Sequence, residues 1–121
     1  MVKILIVESY FNEWRDVWIP KLNGQVFVLS ARTIQEANQV YIANPDLSAI
    51  ATAGCVGMDV FNVESLITEF KAKFKGPIIG CSTSMFNRQD LLRVGCTHVC
   101  DKLLLAEKIN EVLGLEPGGI L

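Results

Sequence analysis

The chain has 121 residues, half of them apolar and a fifth charged, with a formal net charge of -2. That length suits one domain with a single core, and so slight an acidic balance gives no electrostatic basis for binding nucleic acid or an anionic membrane. The early apolar run from Ile4 to Val7 is cut by Glu8 and is too short for a signal-peptide core or a membrane span, so the expected location is cytoplasmic.

In chain order, Val2 to Val7 is a β-branched run that reads as a first strand and delivers Glu8 and Ser9 to its carboxyl end. Phe11, Trp14, Val17, Trp18 and Leu22 then recur at helical spacing, with Pro20 expected to shorten the last turn and Asn23-Gly24 to stop it. Trp14 and Trp18 share the stripe of Phe11 and Leu22, which favours packing on a sheet over an exposed aromatic anchor. Gln25 to Ser30 reads as a second strand, and Thr33-Ile-Gln-Glu36 as a capping box opening a helix through Ala37, Val40 and Tyr41 that Asn44-Pro45 ends.

The third strand, Leu47 to about Thr52, is uncharged, as a strand buried on both faces should be. It runs into the small-residue loop Ala53-Gly-Cys-Val-Gly57 and then a helix capped near Asn62, with Leu66, Ile67, Phe70 and Phe74 facing inward. Gly76-Pro77 separates that helix from a fourth strand, Ile78 to Ser82. Ser84 to Val94 reads as a fourth helix closed by Gly95, Thr97 to Cys100 as a short fifth strand, and Leu103 to Leu113 as a last helix closed by Gly114. Five strands alternating with five helices require, through right-handed crossovers, a parallel sheet covered on both faces. The expected architecture is an α/β flavodoxin-like three-layer sandwich over residues 1–114, with 115–121 as a flexible tail or the start of a linker.

Ligands gather at the carboxyl ends of strands in such sheets, so the groups delivered there are the functional candidates. At the central strand these are Ala51 and Thr52, which offer no carboxylate, thiolate or imidazole. Cys96, His98 and Cys100 alternate and would share one face of a strand, but strand rise sets each cysteine roughly 6.6 Å along the backbone from His98, awkward for one tetrahedral ion, and a fourth ligand is missing. No metal and no cofactor is expected, and the four cysteines are expected to be reduced.

Ile4-Leu-Ile-Val-Glu8, Pro45-Asp-Leu47, Gly57-Met-Asp59, Pro77-Ile-Ile79 with Ser82, and Gly95-Cys-Thr-His-Val-Cys-Asp-Lys102 lie in one order over residues 2–113. Together they resemble the receiver domain of two-component response regulators. The resemblance implies strand order 2-1-3-4-5 and a phosphorylation switch. An aspartate ending the third strand takes a phosphoryl group from a histidine kinase, with Mg²⁺ held by acidic residues after the first strand. A Ser or Thr after the fourth strand and a Lys after the fifth then reshape the surface of the last helices and fifth strand.

Carried over residue by residue, Glu8 matches the first acidic position, while Ser9 stands where a second carboxylate is usual. Counting from Pro45 puts the acceptor at Ala51, and counting back from Asp59 puts it at Thr52. Ser82 and Lys102 fit the hydroxyl and lysine positions, but Leu103 replaces the following proline and Val99 the aromatic switch residue. Mg²⁺ takes near-octahedral oxygen ligands with one or two carboxylates, and only Glu8 is well placed, Asp59 reading as a solvated loop residue. Glu8 is instead the natural counter-charge for Lys102, with Ser82 nearby.

The expected function is that of a pseudo-receiver, a non-enzymatic, phosphorylation-independent interaction module. Its partner would be another protein or a second copy of the chain, meeting the fourth helix, fifth strand and fifth helix, where Val99, Leu103, Leu104 and Leu105 supply apolar groups. Two alternatives rest on the loop after the third strand. It could receive a small anionic or nucleotide-like ligand at a helix amino end, or Cys55 could act as a nucleophile. Against the second, the resemblance does not bring His98, the only histidine, near Cys55.

Overall fold

The computed structural model describes residues 1–119. Its elements are β1 (Val2–Val7), α1 (Phe11–Trp18), β2 (Val26–Ala31), α2 (Ile34–Ala43), β3 (Ala49–Ala53), α3 (Glu64–Lys73), β4 (Ile78–Cys81), α4 (Met85–Val94), β5 (His98–Cys100) and α5 (Leu105–Leu113). The strands pair in parallel in the order β2-β1-β3-β4-β5, the flavodoxin-like arrangement. Strand side chains alternate between faces, and the two faces feed separate cores. Leu5, Val7 and Ile50 pack with Leu66, Ile67, Phe70 and Leu91 from α3 and α4. Ile4, Ile6, Ala51 and Ile79 pack with Trp18, Leu105 and Ile109 from α1 and α5. Every residue of β3 is buried, which explains its lack of charge.

Helix ends follow local chemistry, with some departures from the sequence pattern. Pro20 lies in a 3₁₀ turn, Ile19–Lys21, appended to α1. Thr33 caps α2 by accepting the Glu36 N–H at 3.0 Å, while Glu36 accepts from the Arg32 N–H, one residue before the cap. Asn62 does not cap α3. Its amide accepts from the Val56 N–H at 2.8 Å and donates to the Val56 carbonyl at 2.7 Å, so its side chain is committed to the loop and α3 starts behind Val63. The last helix starts at Leu105 rather than Leu103, because Asp101 accepts the Leu103 N–H at 2.9 Å and folds Lys102–Leu104 into a 3₁₀ turn. Gly114, at φ 68°, closes α5, and the Leu115 N–H returns to the Asn110 carbonyl.

The segment after α5 is hydrogen-bonded as far as it is described. Asn23 Nδ2 donates to the Glu116 carbonyl at 2.9 Å and the Gly118 N–H to the Lys21 carbonyl at 2.9 Å. Gly118 lies so close that a Cβ there would stand 1.9 Å from the Leu22 oxygen. Residues 120 and 121 of the expected tail lie outside the described residues. Among the described residues, no helix is long and apolar enough to cross a membrane.

Helix α4 rests directly on β4 at Gly80, where an added Cβ would stand 2.8 Å from Leu91 Cβ and 3.1 Å from Cys96 Sγ. Gly80→Ala should therefore overpack this layer and cost about 1–3 kcal/mol in urea unfolding. An unchanged midpoint would show that α4 shifts freely on the sheet.

Candidate functional site at the carboxyl edge

Parallel strands bring the residues that follow them to one edge of the sheet. Glu8, immediately after β1, is fully buried, and the Lys102 side chain, after β5, is 16% exposed. The Lys102 Nζ lies 2.5 Å from Glu8 Oε1 and forms an ion pair with it. The other oxygen, Oε2, accepts the Tyr10 N–H at 3.1 Å. Charges this deep persist because each neutralises the other, and removal of one strands its partner.

Helix α1 supports the lysine at both ends. Trp18 Nε1 donates to the Lys102 carbonyl at 2.7 Å, and Trp14, stacked on Trp18 with centroids 5.3 Å apart, places its ring 5.7 Å from Nζ. Sequence spacing located both indoles near the sheet but carried no sign of this role. Only the packing of α1 beside the β5–α5 turn reveals it. Arg88 of α4 also braces this edge, donating to the Ser82 carbonyl at 2.7 Å and lying 3.5 Å from Asp101 Oδ2. Arg88 lies outside the motif pattern, and Asp101 falls within it with no role assigned.

Glu8, Ser82 and Lys102 face a pocket of about 220 Å³, together with Cys55, Asn87 and Asp59. Asp59 is exposed, yet it stands at the pocket rather than in a detached loop. The Ser82 hydroxyl accepts the Ser84 N–H at 3.0 Å, and Ser84 in turn caps α4. Ser9 does not line the pocket; its hydroxyl accepts the Gly57 N–H at 2.6 Å and ties two loops together.

Ala51 and Thr52 are not at the pocket surface. Thr52 pairs with Val7 and Gly80, one residue before Glu8 and two before Ser82, so both counts stop short of the edge. Ala51 packs in the α1/α5 core, and the buried Thr52 hydroxyl donates to the Ala53 carbonyl at 2.9 Å. The central strand instead reaches the pocket through Gly54 and Cys55. A Cβ on Gly54 would press on Phe61 at 3.3 Å and Asn87 at 3.4 Å, which leaves little space for a larger side chain.

The loop after β3 does not open a helix amino end. Its Val56 and Gly57 N–H groups are taken by Asn62 and Ser9, and α3 begins only at Glu64. Cys55 receives Asn87 Nδ2 at 3.4 Å, whereas His98 is exposed on β5, beside the Thr97 hydroxyl at 2.8 Å, and does not line the pocket. The Cys96/His98/Cys100 alternation also breaks, because β5 begins only at His98. Cys96 enters the α3/α4 core and Cys100 the α1/α5 core. Burial pushes the Cys96 thiol up to about 12 and Cys100 up to about 11. Cys81, fully enclosed, is raised well above its ordinary range by the same cause. Among the described residues, no three His, Cys, Asp or Glu side chains gather as a metal site.

On the neighbouring surface, Leu103 and Leu104 are 56% and 55% exposed. Leu105 is fully buried in the α1/α5 core, because it opens α5 on its inward face. Val99 is half-buried against the opposite core. The expected apolar patch is therefore reduced to the two leucines of the 3₁₀ turn.

No family model matches the chain, and no curated protein matches it. Solved structures do. A two-component response regulator from Clostridium difficile superposes with a TM-score of 0.74 at 15% identity, over 94% of this chain and 97% of that one. The fold is that of response-regulator receivers. The chemotaxis protein CheY4 of Vibrio cholerae gives 0.67 at 20% identity over 93% and 98% of the two chains. A chain from the complex of the CheA3 P1 domain with CheY6 from R. sphaeroides gives 0.72 at 17% identity over 93% and 97%. The Mg²⁺ that this fold family implies does not suit the residues present. Glu8 is committed to Lys102 and Tyr10, and the other carboxylate at the pocket is the exposed Asp59.

Replacing Glu8 by Gln or Lys102 by Met should each cost on the order of 3 kcal/mol, with the double variant less destabilised than the sum. Additive losses in denaturant titrations would show a pair without coupling. A second expectation concerns the thiols. At about pH 8 only Cys55 should react quickly with a disulfide reagent, since the other three cysteines are buried and their thiols stay protonated. Their raised values also mean that the stability they contribute is complete below the ordinary 9.0 and is lost as pH climbs through about 11 and 12. Rapid reaction of two or more thiols in the native protein would contradict that burial.

Proposed function

We propose that this chain is a receiver-type signalling module that works without a phosphoacceptor aspartate, in the manner of a pseudo-receiver, and communicates by protein contact rather than by catalysis. The observation that carries this reading is the buried Glu8–Lys102 pair at a pocket whose central-strand contribution is Gly54 and Cys55. In the phosphorylation mechanism the lysine must be free to meet phosphoryl oxygens, and an aspartate must stand at the strand end to carry them. Here the lysine has an internal partner, and residues 47–55 contain no carboxylate. Trp18, Trp14 and the Arg88–Asp101 contact hold the same corner in one arrangement.

The contact surface in this proposal is the face of α4, β5 and α5, where Leu103 and Leu104, and Leu92 of α4, are exposed. A protein partner is in keeping with the R. sphaeroides structure, in which CheY6 is complexed with the CheA3 P1 domain. A cytoplasmic location belongs to the same proposal.

Intact-mass measurement after treatment with acetyl phosphate and Mg²⁺ should show no alkali-labile adduct. A stoichiometric acyl phosphate would overturn the loss of phosphorylation. Leu104→Glu should abolish a dimer or partner complex seen by sedimentation without altering the unfolding midpoint, since Leu104 is exposed. An assembly indifferent to that change would move the contact surface elsewhere.

A further inference from the structure

A cavity lies at the opposite edge of the sheet from Glu8 and Lys102, where the α2–β3 and α3–β4 connections meet. Its volume is about 530 Å³, within the range of pockets that enclose small organic ligands. The walls are apolar: Tyr41, Ile42, Leu47 and Phe74 line it, and Lys73 and Lys75 stand at its margin.

Three features mark it as more than a gap between helices. Tyr41 is braced by Phe70 at 4.9 Å in a tilted pair, so that wall is fixed from behind by the core. Gly76 has no positive φ to explain it, yet a Cβ there would stand 2.6 Å from Phe74 Cζ. The glycine thus leaves room for the Phe74 ring at the cavity. Finally, the charges are unbalanced. Lys3 at this edge is paired with Asp46 at 2.9 Å, but Lys73 and Lys75 have no carboxylate within ion-pair distance among the described residues.

We propose that this cavity binds a small organic anion, a carboxylate attached to an aromatic or alicyclic body, with the ring between Tyr41, Leu47 and Phe74 and the charge met by Lys73 and Lys75. An apolar body buries against the aromatic walls, and two otherwise uncompensated ammonium groups select the anion over a neutral molecule of the same shape. The site is separate from the pocket at the carboxyl edge and does not depend on how that pocket functions.

The test is an amide NMR titration with 2-naphthoate and, in parallel, with the neutral isostere 2-naphthamide. Saturable shifts for 2-naphthoate at Ile42, Asn44, Phe74 and Gly76 are expected, with 2-naphthamide about five- to tenfold weaker. The variant Lys73→Gln/Lys75→Gln should erase that preference while keeping the wild-type spectrum elsewhere. No saturable shift at these amides, equal affinity for both compounds, or a preference that survives the double variant would each overturn the proposal. The first two arms use only the wild-type protein, so the result stands even if the variant folds poorly.

Discussion

A carboxylate with no solvent exposure must find a cation, and Glu8 finds Lys102. The rest of the carboxyl edge is arranged around that requirement. To deliver the ammonium group, the chain after β5 must turn at once, and Asp101 shapes the 3₁₀ turn that does so. To hold the turn in register, Trp18 takes the Lys102 carbonyl, and Arg88 reaches from α4 to the ends of β4 and β5. The pair thus links β1, β5, α1 and α4, elements far apart in sequence, through contacts that lose their purpose if either charge is removed.

The sheet determines what can be placed opposite this pair. Parallel pairing fixes which residue after each strand reaches the edge, and after β3 that residue is Gly54, which has little lateral room. A reactive side chain at the centre would need both a different residue and movement of Phe61 or Asn87. The surrounding hydroxyls are similarly committed, with Ser82 facing Ser84, Ser9 facing Gly57 and Thr52 facing Ala53. Polar groups that satisfy each other internally favour a rigid pocket over a responsive one.

Much of this was legible in the sequence. Strand and helix order follow from period and punctuation, the end of the first strand delivers Glu8 to the edge, and the resemblance to receiver domains adds Ser82 and Lys102 to it. What escaped was decided by tertiary geometry. Motif counting points to Ala51 and Thr52, both within β3, whereas the residues that line the pocket are Gly54 and Cys55, because β3 runs on to Ala53. Asn62 looked like a cap because nothing local distinguishes a cap from a loop clamp. Leu103, Leu104 and Leu105 form one run in sequence, yet a 3₁₀ turn followed by a helix sends the first two outward and the third inward.

The placement of Trp14 and Trp18 has a consequence for observation. They are the only two tryptophans in the chain, one stacked on the other, one hydrogen-bonded to the Lys102 carbonyl and one beneath its ammonium. All indole emission therefore originates beside a single lysine. The domain carries its own optical reporter, tuned to one corner of the sheet and blind to events at the far edge that leave that corner undisturbed.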